Sequence, residues 1–573
     1  MSLESAPKTE LVPMTGGAAI VGALLANGVD TVFGLPGAQM YPLFDALKQN
    51  EDRIRTYGAR HEQACGYMAF GYARSTGRPG VFAVVPGPGV LNTTAALCTA
   101  YGTCTPVLCL TGQVPSTFLG VGRGHLHELP DQLGTLRTLT KWAERIDRVE
   151  DAPAIIDEAF RQMLSGRPGP VAVEMPWDIM ASSGIASLLP RATRRPAPAP
   201  DPDAVERAAR MLVEARAPMI MTGTGARDAG AVVRALAEEL DAPVAAQRGG
   251  RGVVPEDHPL GVSGYTARRL WDETDVLLGI GSRLEMPYMR WAGMMQCIRE
   301  PEGPRRLVRV DIDPREFDRL VPHAGILADA TEGTGALLEA VRRLRTGRRE
   351  RRSRAAVATA KAEARSAVEV VQPQISYLDV IRAALPRDGF LVPELSQVGF
   401  ASYYGFPVYE PRTYVSEGYQ GTLGFGFPTA LGVKAAHPDR AVVSVTGDGG
   451  FMFAVQELAT AAQEGLGVVT MLFNNSAYGN VMRDQQVRFG NRIIGSVLQN
   501  PDFERLAAAF GIDGARVSSP AELGPVLDAA LRRPGPTLIE VAIPQGSEAS
   551  PWPFIHVPPT PTATSNLTPA RPA

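Results

Sequence analysis

One stretch of the chain, residues 443–478, holds two apolar strand patterns, each followed by a polar turn. The first run, VSVTG, ends in Gly447-Asp448-Gly449-Gly450, and the second, VVTMLF, ends in Asn474-Asn475. An amphipathic helix pattern opening in the glycine turn joins them. Parallel strands of a βαβ unit lie side by side, so both turns emerge at the same carboxyl edge of the sheet. The stretch therefore predicts a carboxylate, a carboxamide and a glycine loop at one edge.

These groups suit a particular ligand. Hard divalent cations prefer oxygen ligands, which Asp448 and Asn475 supply. Diphosphates bind to backbone N–H groups at the start of a helix, which the glycine turn supplies. The stretch therefore predicts a site for a metal-bound diphosphate.

Length, charge and cysteine usage narrow the class of protein. A chain of 573 residues exceeds one typical core and indicates several domains. The net charge of −3 gives no electrostatic reason to expect a nucleic-acid or anionic membrane partner. No apolar run approaches the roughly 20 residues of a membrane span, and the N-terminus lacks a signal-peptide pattern. The five cysteines show no CxxC spacing, which is typical of reduced thiols. We expect a soluble, cytoplasmic protein.

Strand and helix patterns alternate along most of the chain, which predicts an α/β fold of doubly wound parallel sheets. Three such domains are expected, at residues 1–188, 200–345 and 372–548, followed by a tail at 549–573. LLPRATRRPAPAPDPDA is Pro- and Arg-rich and reads as a linker between the first two. A basic, Ala-rich stretch before the third domain predicts a solvated connecting helix rather than a nucleic-acid site, because it lacks interleaved aromatics. The first half of the tail is expected to pack over a site.

A second group of residues lies in the first domain. Arg60-His61-Glu62-Gln63 begins a helix whose apolar stripe is Cys65, Met68, Ala69 and Tyr72. Glu62 falls in the first turn, at the strand-to-helix edge of the sheet. Taken alone, it is best explained as a surface glutamate that stabilises the helix dipole. VVPGPGVLN, another glycine turn that opens into a helix, lies downstream.

Together these motifs resemble a known family. RHEQACGYMAFGYARSTGRPG, VVPGPGVLN, TPVLCLTGQV and TGDGG…FNN are similar to the thiamine-diphosphate-dependent 2-keto-acid enzymes, specifically the acetolactate-synthase-like group of large catalytic subunits. The resemblance covers nearly the whole chain. It implies three domains in the order pyrimidine-binding, central Rossmann-like, and diphosphate- and Mg-binding.

The resemblance implies thiamine diphosphate and Mg²⁺ as cofactors and assigns roles in the third domain. Side-chain oxygens of Asp448 and Asn475 and the carbonyl of Ala477 would bind Mg²⁺. The diphosphate would lie against Gly447, Gly449, Gly450 and Tyr478. Leu423 would support the folded cofactor, and the carbonyl of Gly421 would accept a hydrogen bond from the aminopyrimidine.

In the first domain, the resemblance makes Glu62 the residue that hydrogen-bonds the pyrimidine ring and activates the cofactor. Because Glu62 and Asp448 belong to different domains, the family places each site between two subunits. The protein is therefore expected to be at least a homodimer and to assemble as a homotetramer.

This chain departs from the biosynthetic acetolactate synthases at the expected substrate side. His127 stands where those enzymes carry a substrate-facing glutamine, and imidazole can move protons near neutral pH. A packed or solvent-facing histidine is the alternative. Gln39 falls where benzaldehyde-lyase-like enzymes place an active-site histidine, so both residues are candidate catalytic residues. Asp484 stands where the biosynthetic enzymes carry a tryptophan.

A further departure concerns FAD. The arginine–phenylalanine–aspartate element that contacts flavin in the biosynthetic enzymes is replaced by Ser282-Arg283-Leu284-Glu285-Met286-Pro287, which disfavours FAD. Asp311 retains a strand-end acid of the kind that meets a nucleotide ribose, although such an acid can also cap a turn.

The reaction expected from the resemblance is decarboxylation of a 2-keto acid, or cleavage of a 2-hydroxy ketone, to a thiamine-bound enamine. Carboligation to a second carbonyl would come next, as in acetolactate synthesis. A simple 2-keto-acid decarboxylase and an acyloin or benzaldehyde-type lyase are the alternatives. A flavin-dependent oxidase and an inactive regulatory homologue remain further ones.

Overall fold

The computed structural model describes residues 11–292, 299–300, 303–345 and 350–556. Within them the chain forms three parallel sheets and one short antiparallel pair of strands. The predicted α/β fold with three doubly wound domains is confirmed. Cys297 and the end of the tail, residues 557–573, lie outside the described residues.

The first domain is built on a six-stranded parallel sheet of order β3-β2-β4-β5-β7-β6, and β1 pairs with β8 in antiparallel fashion. Its strands are β1 (Leu11–Thr15), β2 (Thr31–Gly34), β3 (Arg55–Gly58), β4 (Gly80–Val84), β5 (Val107–Gln113), β6 (Trp142–Arg145), β7 (Val171–Pro176) and β8 (Ser183–Ser187). Its helices are α1 (Gly16–Ala26), α2 (Tyr41–Gln49), α3 (Glu62–Thr76), α4 (Pro88–Asn92), α5 (Thr94–Gly102), α6 (Gln132–Leu139), α7 (Ala152–Leu164) and α8 (Trp177–Ala181).

The central domain has a six-stranded parallel sheet of order β11-β10-β9-β12-β13-β14. Its strands are β9 (Pro218–Thr222), β10 (Val244–Ala246), β11 (Gly261–Val262), β12 (Val276–Ile280), β13 (Arg306–Asp311) and β14 (Ala324–Leu327). Its helices are α9 (Pro202–Glu214), α10 (Gly230–Leu240), α11 (Gly264–Arg269), α12 (Arg315–Arg319) and α13 (Ala330–Leu344).

The basic, Ala-rich stretch forms the connecting helix α14 (Arg354–Val368), as predicted. Most of this helix is solvated, but Val357, Ala360, Ala364 and Val368 are buried along one stripe. Val357 and Ala360 join the apolar core of the central domain. The helix is therefore anchored to that domain by hydrophobic contact.

The third domain has a five-stranded parallel sheet of order β15-β16-β17-β19-β18. Its strands are β15 (Phe390–Pro393), β16 (Val442–Gly447), β17 (Val469–Asn474), β18 (Asp513–Val517) and β19 (Thr537–Ala542). Its helices are α15 (Gln374–Ala384), α16 (Gln397–Gly405), α17 (Gly426–Ala436), α18 (Asp448–Phe451), α19 (Glu457–Glu464), α20 (Gly479–Arg488), α21 (Phe503–Ala509), α22 (Pro520–Arg532) and α23 (Trp552–Ile555).

Two sequence-based expectations about helices are wrong in detail. The glycine turn does not open into one continuous amphipathic helix, because α18 ends after four residues and α19 begins only at Glu457. Helix α3 begins at Glu62, two residues later than predicted, and residues 64–75 are all buried, not only the predicted stripe. The reason is that α17 of the third domain packs closely on the face of α3 that faces away from the first sheet.

Among the described residues, no helix is both long enough and apolar enough to cross a membrane.

Candidate active site

A cavity of about 230 Å³ lies at the carboxyl edge of the third sheet. Its walls come from most of the residues in 395–400 and 473–481 and from all of 447–450, together with Leu423 and Glu548. The turns after β16 and β17 therefore meet in one space, as expected for neighbouring parallel strands.

Asp448 is the first residue of α18 and its side chain is buried, with 2% of the residue exposed. Asn500 Nδ2 donates to Asp448 Oδ2 at 2.7 Å and to Asn474 Oδ1 at 2.8 Å. Burial raises the pKa of the Asp448 carboxyl, while hydrogen bonds from Asn500 and from nearby backbone N–H groups oppose this rise. Asn500 thus holds the carboxylate at the end of β16 beside the polar turn after β17.

Asn475 presents its side chain to the same cavity. Its Oδ1 accepts a bond from the backbone N–H of Ala477 at 3.1 Å, and its Nδ2 donates to Glu548 Oε2 at 2.6 Å. Arg483 holds the Glu548 segment in turn, because its Nη2 donates to the Glu548 carbonyl at 2.9 Å. Both functional groups of the Asn475 amide are therefore oriented by the protein.

The two glycines of the turn are required by close neighbours. A Cβ at position 449 would lie 2.4 Å from the Tyr478 ring, and one at position 450 would lie 2.5 Å from Glu394 Oε1. Gly447, Gly449, Gly450 and Tyr478 all line the cavity. Besides Asp448, the turn therefore presents only glycine backbone to this space.

The loop before α17 supplies one further wall. Leu423 lines the cavity, whereas Gly421 does not and instead approaches the cavity-lining Leu395. Thr422 between them accepts a bond from the Tyr67 hydroxyl at 2.8 Å. A contact with α3 of the first domain thus holds this loop in place.

The start of the tail packs over the cavity, as predicted for its first half. Trp552 Nε1 donates to Asn480 Oδ1, and the Trp552 ring lies 5.0 Å from the ring of Phe400. Asn480 and Phe400 both line the cavity.

Glu62 lies at the carboxyl edge of the first sheet, as the first residue of α3. Asn92 Nδ2 donates to Glu62 Oε2 at 3.0 Å. The Arg60 backbone N–H lies 3.2 Å from both carboxylate oxygens of Glu457, a fully buried residue of the third domain. The segment leading into α3 is therefore anchored across the domain boundary.

The structure brings Gln39 and His127 together beside Glu62. His127 Nδ1 lies 2.7 Å from Gln39 Oε1, and Gln39 Nε2 donates to the Leu126 carbonyl at 2.9 Å. Burial lowers the pKa of His127, and the nearby Glu62 carboxylate partly opposes this shift. All three candidate catalytic residues thus lie at one edge of the first sheet.

The two groups of candidate residues do not meet within one chain. Across the described part of the chain, every residue that lines the cavity lies between 395 and 548, so Glu62, Gln39 and His127 are not among them. One copy of the chain therefore contains two separate halves of the expected site.

In the central domain, Asp311 caps a turn. Its Oδ1 accepts from the Asp313 backbone N–H at 3.1 Å, and its Oδ2 lies 3.5 Å from Arg309. Arg309 is fully buried and also donates to the Ser282 carbonyl at 2.8 Å. Burial raises the pKa of Asp311 to about 6. Both oxygens of the strand-end acid are thus engaged by the protein.

Sequence patterns alone do not point to four residues that contact the site, namely Asn92, Glu394, Asn500 and Glu548. Asn92 ends the VVPGPGVLN motif, so its place beside Glu62 could have been suspected. Asn500 and Glu548 lie in irregular segments that carry no periodic pattern, and only the tertiary structure brings them to the cavity.

The chain matches a family model in each of its three domains. Residues 14–135 match the N-terminal TPP binding domain of thiamine pyrophosphate enzymes, residues 205–339 the central domain, and residues 396–541 the C-terminal TPP binding domain.

Curated relatives match over nearly their full length. The probable 2-ketoarginine decarboxylase AruI of Pseudomonas aeruginosa is 36% identical, over 93% of this chain and 96% of the relative. Acetolactate synthase isozyme 1 large subunit of Escherichia coli is 31% identical over 92% and 94%, respectively. A probable acetolactate synthase large subunit of Methanocaldococcus jannaschii is 32% identical over 97% and 96%. The chain therefore belongs to the thiamine-diphosphate-dependent enzymes and, within them, to the acetolactate-synthase-like family.

Proposed function

We propose that this protein decarboxylates a 2-keto acid with thiamine diphosphate and Mg²⁺ and joins the remaining fragment to a second carbonyl compound. The observation that supports this most is the meeting of Asp448, Asn475 and the glycine turn in one cavity. A simple decarboxylase, or a lyase that cleaves a 2-hydroxy ketone, would use the same residues and differs only in the bond that is cleaved or in whether the remaining fragment is released or joined to a second carbonyl compound.

The cavity fits a metal-bound diphosphate. The Asp448 carboxylate, the Asn475 amide oxygen and the Ala477 carbonyl are oxygen donors of the kind Mg²⁺ prefers. Gly447, Gly449 and Gly450 would face the diphosphate with backbone groups, with Tyr478 beside them. Leu423 and the Gly421 carbonyl would contact the rest of the cofactor. When bound, thiamine diphosphate supplies the electron sink for breaking the carbon–carbon bond.

In the first domain, Glu62 would hold and move a proton at the cofactor ring. Asn92 occupies Glu62 Oε2, which leaves Oε1 for this purpose. Because Glu62 lies outside the cavity of its own chain, we propose that each complete site joins Glu62 of one subunit to Asp448 of another. Exposed apolar side chains flank both halves, among them Leu91, Leu126, Phe453 and Val481. A homodimer, or a homotetramer built from two dimers, would cover them. We place this assembly in the cytoplasm.

We propose that the enzyme works without FAD. The engaged carboxylate of Asp311 and the replaced flavin-contacting element at 282–287 both support this. A purified protein with no flavin absorption is the expected observation, and a stoichiometric flavin would contradict it.

A second candidate substrate is a 2-keto acid with a cationic side chain. The relative named as a probable 2-ketoarginine decarboxylase supports it, at 36% identity. Asp484 supports it as well, because it lies one helical turn after the cavity-lining Asn480 and Val481 on α20. A carboxylate there would complement a guanidinium group, where a tryptophan would not.

The experiment offers the enzyme pyruvate, 2-ketoarginine and benzoin in turn, with thiamine diphosphate and Mg²⁺, and identifies products by mass spectrometry. Acetolactate from pyruvate supports carboligation, and a guanidino aldehyde from 2-ketoarginine supports the second candidate. Cleavage of benzoin without CO₂ release from either keto acid would contradict the proposed decarboxylation.

The proposed diphosphate site, formed by Asp448, Asn475 and the glycine turn, is tested by removing its carboxylate. Asp448→Ala should lower turnover at least about 100-fold, because an anchoring charge for the metal is lost. A chelator should inactivate the wild type, and added Mg²⁺ should restore it. Asp388→Ala, at an exposed aspartate of the same domain, is the matched control and should keep normal turnover. Near-normal activity of Asp448→Ala would contradict the metal assignment.

A further inference from the structure

The contact between Gln39 and His127 sets the proton positions on the imidazole ring. Gln39 Nε2 is 2.9 Å from the Leu126 carbonyl, which can only accept a hydrogen bond. The nitrogen of the amide must therefore point to Leu126, and its oxygen must point to His127. His127 Nδ1 lies 2.7 Å from that oxygen and has to donate.

A neutral imidazole carries a single ring proton. With that proton on Nδ1, the Nε2 atom of His127 keeps its lone pair and acts as an acceptor. Burial lowers the pKa of His127, so the ring is neutral near pH 7 despite the nearby Glu62 carboxylate.

The backbone around this pair is held in an unusual conformation. Gln39 and His127 have φ values of 67° and 66°, in the left-handed region that costs a residue with a side chain about 1 kcal/mol or more. Such strain persists only where the surroundings enforce it. The contact is thus a built feature of these two loops.

Two glycines show how the loops interlock. A Cβ on Gly112 would lie 2.5 Å from the Gln39 carbonyl oxygen, and one on Gly87 would lie 2.5 Å from that of His127. The buried Gln132 joins both glycines, because it accepts from the Gly87 N–H at 2.8 Å and donates to the Gly112 carbonyl at 3.0 Å. The backbones of Gln39 and His127 are therefore closely packed against Gly112 and Gly87.

We propose that Gln39 is a positioning residue that locks His127 in the Nδ1–H tautomer, so that His127 Nε2 is the proton acceptor at the reacting oxygen of the substrate. This rests on the proposed function and on the resemblance, which puts His127 where the biosynthetic enzymes carry a substrate-facing glutamine. In the transfer, the O–H bond at the reacting oxygen breaks as that oxygen becomes the carbonyl of the product, its electron pair completes the C=O bond, and an N–H bond forms at Nε2. The imidazolium still donates from Nδ1 to Gln39, so the same contact serves both protonation states, and the reverse transfer returns the proton.

The tautomer is tested on the whole protein without cofactor or substrate. Long-range ¹H–¹⁵N spectra of histidine-labelled protein show which ring nitrogen carries the proton, and His127→Gln assigns the signal among the seven histidines. The proton is expected on Nδ1 in the wild type and in Gln39→Glu, whose carboxylate still accepts. In Gln39→Leu it should move to Nε2, the form that an unconstrained histidine prefers. A wild type with the proton on Nε2 overturns the proposal.

Turnover tests the second half of the proposal. Gln39→Leu should lower kcat about 10- to 100-fold with little change in KM, because the general base is lost while binding contacts remain. Gln39→Glu should recover part of that loss, and Gln49→Leu, at an exposed glutamine on α2, should behave as wild type. Unchanged kcat in Gln39→Leu overturns the catalytic role even if the tautomer is as expected. If the wild type turns over no keto acid, the proposed function fails. The spectra still show whether Gln39 fixes the tautomer of His127.

Discussion

Glu62 is held at the start of α3 by contacts from two other parts of the chain. Asn92 donates to its carboxylate, and Glu457 anchors the backbone two residues before it. This arrangement leaves the carboxylate partly accessible while its position is set. A catalytic role for Glu62 depends on that position as well as on its charge.

Replacing Glu62 by Gln preserves shape but removes the proton that the proposed role requires. We expect turnover to fall at least about 100-fold, with the thermal transition within a few degrees of wild type. Steady-state kinetics and a thermal melt measure the two effects. Glu51→Gln, at an exposed glutamate that pairs with Lys48, is the control. Near-normal turnover of Glu62→Gln would refute the assignment.

Glu394 is a buried carboxyl that lies next to Gly450 of the proposed diphosphate site. It accepts from the Gly426 N–H at 3.2 Å, from the Thr446 hydroxyl at 2.8 Å and from the Gly424 N–H. Despite these bonds, burial raises its pKa from 4.5 to about 7. The residue thus joins the Leu423 loop to the end of β16. Its carboxyl stays protonated at mildly acidic pH.

This shift predicts a pH-dependent stability. A carboxyl whose pKa is higher in the folded protein stabilises the fold below about pH 4.5, and that contribution falls as pH rises to about 7, by on the order of 3 kcal/mol. The melting temperature of the wild type should therefore drop by several degrees relative to Glu394→Gln between about pH 5 and about pH 8. Parallel pH profiles of the two proteins would show that Glu394 does not titrate in this range.

At the scale of elements, α3 and α17 cross at a distance that only small residues permit. A Cβ on Gly71 would lie 2.1 Å from the Thr429 carbonyl oxygen, and one on Gly432 would lie 2.0 Å from that of Met68. Both neighbours are helix backbone, which cannot yield locally. Since α3 begins at Glu62 and α17 comes directly after the Leu423 loop, this crossing sets the two half-sites of one chain relative to each other.

Gly71→Ala should push the two helices apart and cost about 1–3 kcal/mol, because overpacking forces backbone shifts. A lower melting temperature and reduced turnover are expected together. Gly335→Ala on α13 is the matched control, since a Cβ there meets nothing within 4 Å and alanine favours the helix by up to about 1 kcal/mol. A wild-type melt for Gly71→Ala would show that the crossing is looser than its geometry indicates.

At the scale of the whole molecule, a site shared between subunits makes a specific prediction for mixed dimers. Glu62→Gln and Asp448→Ala are each expected to be inactive alone. Unfolded together and refolded, they should regain about a quarter of wild-type activity, because half of the dimers are mixed and each mixed dimer has one intact site. If each site lay within one chain, mixing would restore nothing. Two copies of Glu62→Gln refolded together serve as the control.

Much of this architecture could be predicted from local pattern. Alternating strand and helix periods indicate parallel sheets, and the topology of such sheets places β16 and β17 side by side with Asp448 and Asn475 at one edge. The apolar period of α3 begins at Cys65, which places Glu62 in the first turn of the helix. These inferences succeed because the relevant contacts are close in sequence or are imposed by sheet topology.

The amino-acid sequence by itself determined the fold class, the family and the meeting of Asp448, Asn475 and the glycine turn at one sheet edge, because each depends on short motifs with regular spacing. Only the tertiary structure decided how α3 is buried against α17, that Asp311 is engaged by Arg309, and that Gln39 orients His127. The last two residues are 88 positions apart. Contacts of this kind depend on how loops from separate elements fit together in space, and no local period or propensity encodes that fit.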